Sequence, residues 1–159
     1  MNKIKCLVIV FLMISMGFLS GCITNNVVDT NVSMPKHRWS YINKVATDIE
    51  IKDHTKPYDL FFKLRHTAKY RYSNIYILFH LKQAGKKQVT RKYEYKLAQA
   101  DGTWLGAGSG DLYTYTLPLL RKFDFPANGK YTLVIEQCMT DNPLHAISDA
   151  GILVAESTL

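Results

Sequence analysis

The stretch "YDLFFKLRH", Tyr58 to His66, decides the fold. Tyr58, Leu60, Phe62 and Leu64 recur at every second position, while Asp59, Lys63 and Arg65 share the other face with Phe61. A period of two puts alternate side chains on opposite faces of a strand, so this segment buries one face and wets the other. The same pattern continues on both sides of it. Upstream, "ATDIEIK" is a shorter strand that opens the domain. Downstream, "NIYILFHL" sets Ile75, Ile77, Phe79 and Leu81 against Tyr76, Leu78 and His80. "QVTRKYEYKLA" sets Val89, Tyr93, Tyr95 and Leu97 against Thr90, Lys92, Glu94 and Lys96. "YTLVIEQCM" places Tyr131, Leu133, Ile135 and Met139 on one face, and "GILVAE" is the last strand.

Between these runs lie "KDHTKP", "AKYRYSN", "KQAGKK", "DGTWLGAGSG", "FPANG" and "TDNP", each holding the Gly, Pro, Asn or Asp that a turn needs. No stretch of a dozen residues keeps a 3.6 period, and "PLLRKF" is at most one helical turn. Seven or eight short strands at this spacing predict an all-β chain: a single antiparallel β-sandwich, with a jelly roll as one arrangement it allows. Periodicity leaves the strand order open.

The N-terminus is an address. "MNKIK" supplies two lysines, and Cys6 to Ser20 form an uncharged apolar run that is too short and wrongly flanked for a spanning helix. "LSGC", Leu19 to Cys22, looks like a bacterial lipobox, so residues 1–21 are expected to be a signal peptide and Cys22 the lipidated residue. Two or more acyl chains hold a protein stably at a membrane, as one does not. Residues 22–36 then read as the lipidated cysteine and a polar tether, and 37–159 as the domain. Ile23 after the cysteine, where no aspartate stands, leans towards the outer membrane with the domain facing the periplasm.

Loss of residues 1–21 leaves 138, enough for one core, and lowers the twenty basic residues to eighteen against thirteen acidic, a net charge of about +5. The lysines of "GKKQVTRKYEYK" alternate with other residues as on a solvated strand, so nucleic acid is not an expected partner. Cys6 leaves with the signal and Cys22 is spent on lipid, which leaves Cys138 alone, without a disulfide and in a strand-like run expected to bury it.

"WLGAGSGDL", Trp104 to Leu112, raises the question of a phosphate loop. Such a loop needs Lys and Ser or Thr after its last glycine and then a helix, whereas Gly110 is followed by Asp111, Leu112 and the strand-like "YTYTL". Asp101-Gly102 is a tight-turn signal, and Gly106, Gly108 and Gly110 suit a bent crossing, with Gly108 the position where a positive φ is expected.

"KPYDLFFKLRH", "YRYSNIYILF", "DGTWLGAGSGD", "GKYTLVIEQCM" and "ISDAGILVAE" follow in this order behind the lipobox. The series resembles the gliding-motility lipoprotein H family (GldH) of Bacteroidota over about Trp39 to Glu156. The resemblance implies a cell-envelope lipoprotein without catalytic activity, a scaffold or interaction module among protein partners of the gliding machinery and the type IX secretion apparatus. It carries over no binding residues, because its motifs are strands and turns.

No HxH, HExxH or GxSxG pattern occurs, and no catalytic, metal or cofactor residue is expected. A discontinuous site from Asp53, His54, Asp59 and His66 is conceivable, and weaker than four solvated side chains. The rival class is a glycan-binding sandwich, using the pairs Tyr70 and Tyr72, Tyr93 and Tyr95, or Tyr113 and Tyr115 as an exposed aromatic platform. For a protein partner, the basic–aromatic group Arg65, His66, Tyr70 and Arg71 is the candidate interaction surface, since Arg and Tyr dominate interface hot spots. Trp104 is expected to be a core or lid residue.

Overall fold

The period-two runs become strands in the computed structural model, which describes residues 26–157. The signal peptide and Cys22 lie outside the described residues. Seven long strands carry the fold: β4 (Val45–Ile51), β5 (Tyr58–Thr67), β6 (Asn74–Gln83), β7 (Val89–Lys96), β9 (Leu112–Phe123), β10 (Gly129–Gln137) and β12 (Ile147–Glu156). Short strands complete it: β1 (Asn26–Asp29), β2 (Val32–Ser33), β3 (Arg38–Trp39), β8 (Ala107–Ser109) and β11 (Leu144–His145).

One antiparallel sheet runs β1-β12-β5-β9-β8, with β2 also on β12, and the other runs β4-β10-β6-β7. Among consecutive long strands only β6 and β7 stay in one sheet; the other connections cross, which is why the order was not legible in the sequence. The alternating faces meet between the sheets. Leu60, Phe62 and Leu64 of β5 lie beside Val154, Ile152 and Ala150 of β12. They oppose Ile75, Ile77 and Phe79 of β6 and Leu133 and Ile135 of β10 across one continuous core. The sandwich has a lower end, formed by loops 52–57, 84–88 and 124–128, and an upper end, formed by loops 68–73, 97–106 and 138–146.

Three expectations are corrected. The "PLLRKF" segment is strand: it ends β9, where Leu60 and Phe61 oppose Leu120 and Pro118 and leave Leu119 as a bulge. That extra residue breaks the period and tolerates the proline, so the pattern stopped looking like a strand. Secondly, the stretch expected as tether, residues 22–36, is folded from Asn26 on. Asn26 already faces Ala155 of β12, Val32 faces Ala150, and Met34 is in the core. Thirdly, Gly108 has no left-handed φ and lies in β8; within this stretch the positive φ values are at Gly102 and Gly110. The close approach is at Gly106, where a Cβ would stand 2.6 Å from the Tyr115 ring.

Between β1 and β2 the chain crosses Gly151. Thr30 N–H donates to the Ile152 carbonyl at 2.9 Å, the Ile152 N–H donates to Thr30 Oγ1 at 3.1 Å, and Met34 N–H donates to Ser148 O at 2.8 Å. A Cβ on Gly151 would sit 1.9 Å from the Thr30 carbonyl oxygen, so only glycine lets this strap lie down. Gly151→Ala is therefore expected to destabilise by about 2–3 kcal/mol, lowering Tm by roughly 5–10 °C, while Gly108→Ala, exposed and unstrained, stays within about 0.5 kcal/mol. Thermal melts of the two variants check this; a Gly151→Ala protein that melts with the parent contradicts the strap.

Candidate functional site

The four predicted interaction residues part company in the structure. Arg65 and Arg71 are exposed, but His66 is fully buried and Tyr70 is 4% exposed, so these two belong to the core and form no surface with the arginines. The reason is the period of β5. Tyr58, Leu60, Phe62 and Leu64 point inwards, and His66 is the next residue on that face. Arg65 points to the outer face, where its Nε lies 2.7 Å from Oδ2 of Asp149, the residue opposite it on β12. Asp149 is itself nearly buried, and the pair belongs to a row of cross-strand ion pairs with Lys63–Asp29 and Arg121–Asp59.

His66 stands in an aromatic enclosure at the upper end. Ring centroids lie 4.4 Å away at Trp104, 5.0 Å at Tyr70, 5.3 Å at Tyr115 and 5.7 Å at Tyr113. Nδ1 reaches the Thr67 carbonyl at 2.9 Å, which puts the proton of the neutral ring on Nδ1, and Nε2 faces Tyr115 Oη at 3.2 Å. Tyr115 Oη donates to Leu97 O at 2.8 Å. Trp104 is held over this group by an isolated bridge to Ala98, which makes the glycine stretch a lid on a packed cluster, as a turn would be and a phosphate cradle would not. The side chains stacked on the imidazole are those of Trp104, Tyr70, Tyr113 and Tyr115, so the arrangement holds an aromatic core together.

Burial pushes the His66 pKa below its ordinary value, against the smaller opposing effect of the Thr67 hydrogen bond. Burial raises Tyr70 and Tyr115, and it likewise raises the thiol of Cys138, which follows directly after β10 and is only half-buried, not enclosed as expected. The tyrosine pairs do not make a flat exposed platform. Tyr93 and Tyr95 stack on each other and donate to Leu119 O and Pro118 O of the opposite sheet at 2.6 and 2.7 Å. Tyr72 donates to Asp141 at 2.7 Å. Asp53 and His54 lie in the loop before β5 and His66 near its other end, so the discontinuous site is not assembled. Among the described residues no three His, Cys, Asp or Glu side chains converge as a metal site would need.

Two features were missed. At the upper end, a polar cleft of about 340 Å³ is lined by Lys36, His37, Thr67, Lys69, Asp111, His145 and Ala146. Lys36, His37 and Ala146 have left-handed φ values of 54°, 53° and 66°. Non-glycine residues avoid that region, and three of them around one cleft mark a local shape that the surrounding packing imposes. No sequence signal announces a left-handed lysine. At the lower end, an apolar groove of about 330 Å³ is lined by Leu81, Val89, Phe123, Pro126 and Tyr131, with Lys86 and Lys87 also in its lining. Val89 belonged to the inward face of its run, yet it is 53% exposed because it begins β7, beyond the cover of the opposite sheet. The double lysine of "AGKKQ" was the available clue.

The family model described as GldH lipoprotein matches residues 26–154. A gliding motility lipoprotein GldH homolog of Christiangramia forsetii is 32% identical, over 87% of this chain and 88% of its own length. The gliding motility lipoprotein GldH of Flavobacterium johnsoniae is 26% identical, over 91% and 94%. Among solved structures, TmCBM61 with β-1,4-galactotriose aligns over 90% of this chain and 93% of its own at 10% identity, with a TM-score of 0.33. The VP2 subviral particle of infectious bursal disease virus aligns over 84% and 32% at 12% identity, with a TM-score of 0.32. Those two scores carry no argument about function.

A buried histidine with a lowered pKa makes stability depend on pH. The folded state resists protonation, so its contribution is complete above the unfolded pKa of about 6.5 and is lost as pH falls below it, by at most about 1.4 kcal/mol per pH unit for one proton. Urea titrations between about pH 7 and 5 are expected to give a flatter profile for His66→Gln than for the parent, although the variant is less stable throughout. Parallel profiles contradict the buried neutral ring.

Proposed function

The chain belongs to the GldH lipoprotein family, and from that premise we propose that it is a non-enzymatic accessory of the gliding machinery and of the type IX secretion apparatus coupled to it. Acyl chains on Cys22 hold it at the outer membrane, with the domain facing the periplasm. It acts as a scaffold, through a surface and not through a reaction.

The observation that carries this reading is the upper-end cleft. Lys36 and Lys69 line it against one carboxylate, Asp111, with the imidazoles of His37 and His145 as further hydrogen-bonding groups, so it favours an acidic protein surface. Arg71 is exposed in the adjoining loop 68–73 and extends the same charge, while His66 and Tyr70 support that loop from beneath. The left-handed residues keep the cleft in one shape, and a preorganised surface loses less entropy on binding. The glycan reading finds no comparable support, because five of the six tyrosines that would serve it, all but Tyr113, are spent on internal hydrogen bonds.

A photo-cross-linking residue at Lys69, in the cleft, compared with one at Thr132, on the outer face of the four-stranded sheet, tests the proposal in intact cells. Motility or secretion components are expected in the Lys69 adducts and not in those from Thr132. Adducts confined to neighbouring lipoproteins and porins, or identical from both positions, contradict it.

A further inference from the structure

We infer that the domain sits end-on at the membrane, its lower end against the lipid headgroups and its upper end turned away; this rests on acylation of Cys22. Asn26 is already paired in β1, facing Ala155. Four peptide units separate it from Cys22, and whatever their conformation they span at most about 14 Å. Ala155 in turn lies opposite Asp59, and Tyr58 beside it faces Phe123, so the chain leaves the sandwich at its lower end. The ten residues of β5 make the domain roughly 33 Å tall, more than twice that reach.

A short leash alone would let the domain lie on its side. The chemistry of the surfaces selects the end. The lower end presents Lys52, Lys56, Lys86, Lys87, Lys122 and Lys130 against Glu50, Asp53, Asp124 and Glu156. Among the described residues only Lys56 of these six is ion-paired, to Glu156 at 2.9 Å. Lys86 and Lys87 flank the apolar groove, which brings Val89, Phe123 and Pro126 to the same place. Free lysines beside exposed apolar surface are what a headgroup region takes up, the amines at phosphates and the apolar groups just beneath. The outer face of the six-stranded sheet, to which β1 belongs, is the nearer alternative seat, and its Lys63, Arg65 and Arg121 are each already paired with a carboxylate. The upper-end cleft is thereby held on the side where an envelope protein can reach it.

The test is lysine footprinting of the acylated, full mature chain in vesicles of phosphatidylethanolamine and phosphatidylglycerol, read by mass spectrometry. A water-soluble acylating reagent reacts with the neutral amine, so lysines held at an anionic surface should label about fivefold more slowly. Lys86, Lys87 and Lys52 are expected to slow, and Lys36, Lys69 and Lys96 at the upper end are not. A second variant carries about 20 Gly and Ser residues before Asn26, a linker of roughly 25 Å r.m.s. reach. It should float with the vesicles as the parent does and lose the protection. Failure of the parent to float removes the anchor and the seating together. Flotation with Lys86 and Lys87 labelled as fast as Lys69 overturns the seating alone.

Discussion

The contact on which this architecture turns is the crossing of Thr30 over Gly151. β12 lies between β5 and the N-terminal strands, and its outer flank would be an open row of amides and carbonyls if β1 and β2 did not cover it. The cover is discontinuous, because β1 pairs with one half of β12 and β2 with the other. At the break, Thr30 satisfies both the amide and the carbonyl of Ile152 with its own backbone and hydroxyl. Backbone can lie that close only where the strand beneath has no side chain. One glycine thus closes a sheet edge, places Met34 in the core and brings the chain from the lower end to the upper one.

Function follows from the same path. Because the strap consumes most of what would otherwise be linker, only a few residues separate Cys22 from folded structure, and that short span is what the proposed seating relies on. The opposite end is rigid for a different reason. His66 fills the last inward position of β5 and is packed on four aromatic rings, which fixes the loops that carry Lys69, Arg71 and Trp104. The aromatic residues of this end are therefore structural support for the loops above them.

Much of this was legible in the sequence, for a plain reason. The long strands bury one face, so a period of two survives in "YDLFFKLRH" and "NIYILFHL" and predicts both their existence and their inward residues. Where the physics departs from that period, reading fails. The bulge at Leu119 disguised the end of β9. The polar residues of "NNVVDTNVS" looked like tether, since β1 and β2 bury almost nothing and are held by backbone hydrogen bonds that any sequence can make. His66 and Tyr70 looked like surface because a basic neighbour stands beside each; extending the alternation of β5 by one step would have placed His66 inside. The cleft was invisible for a stronger reason: it is made by left-handed backbone at Lys36, His37 and Ala146, residues with no preference for that conformation.

The most direct measurement of the central claim is amide hydrogen exchange at Thr30, Met34 and Ile152. The strap as described gives each of these amides a partner, at 2.9, 2.8 and 3.1 Å, so they should exchange on the slow timescale of the β5–β12 ladder and open only with it. Exchange of Thr30 and Met34 at the rate of the exposed loops, with β12 still protected from within, would show that the N-terminal segment is a tether after all and that the short leash to the membrane does not exist.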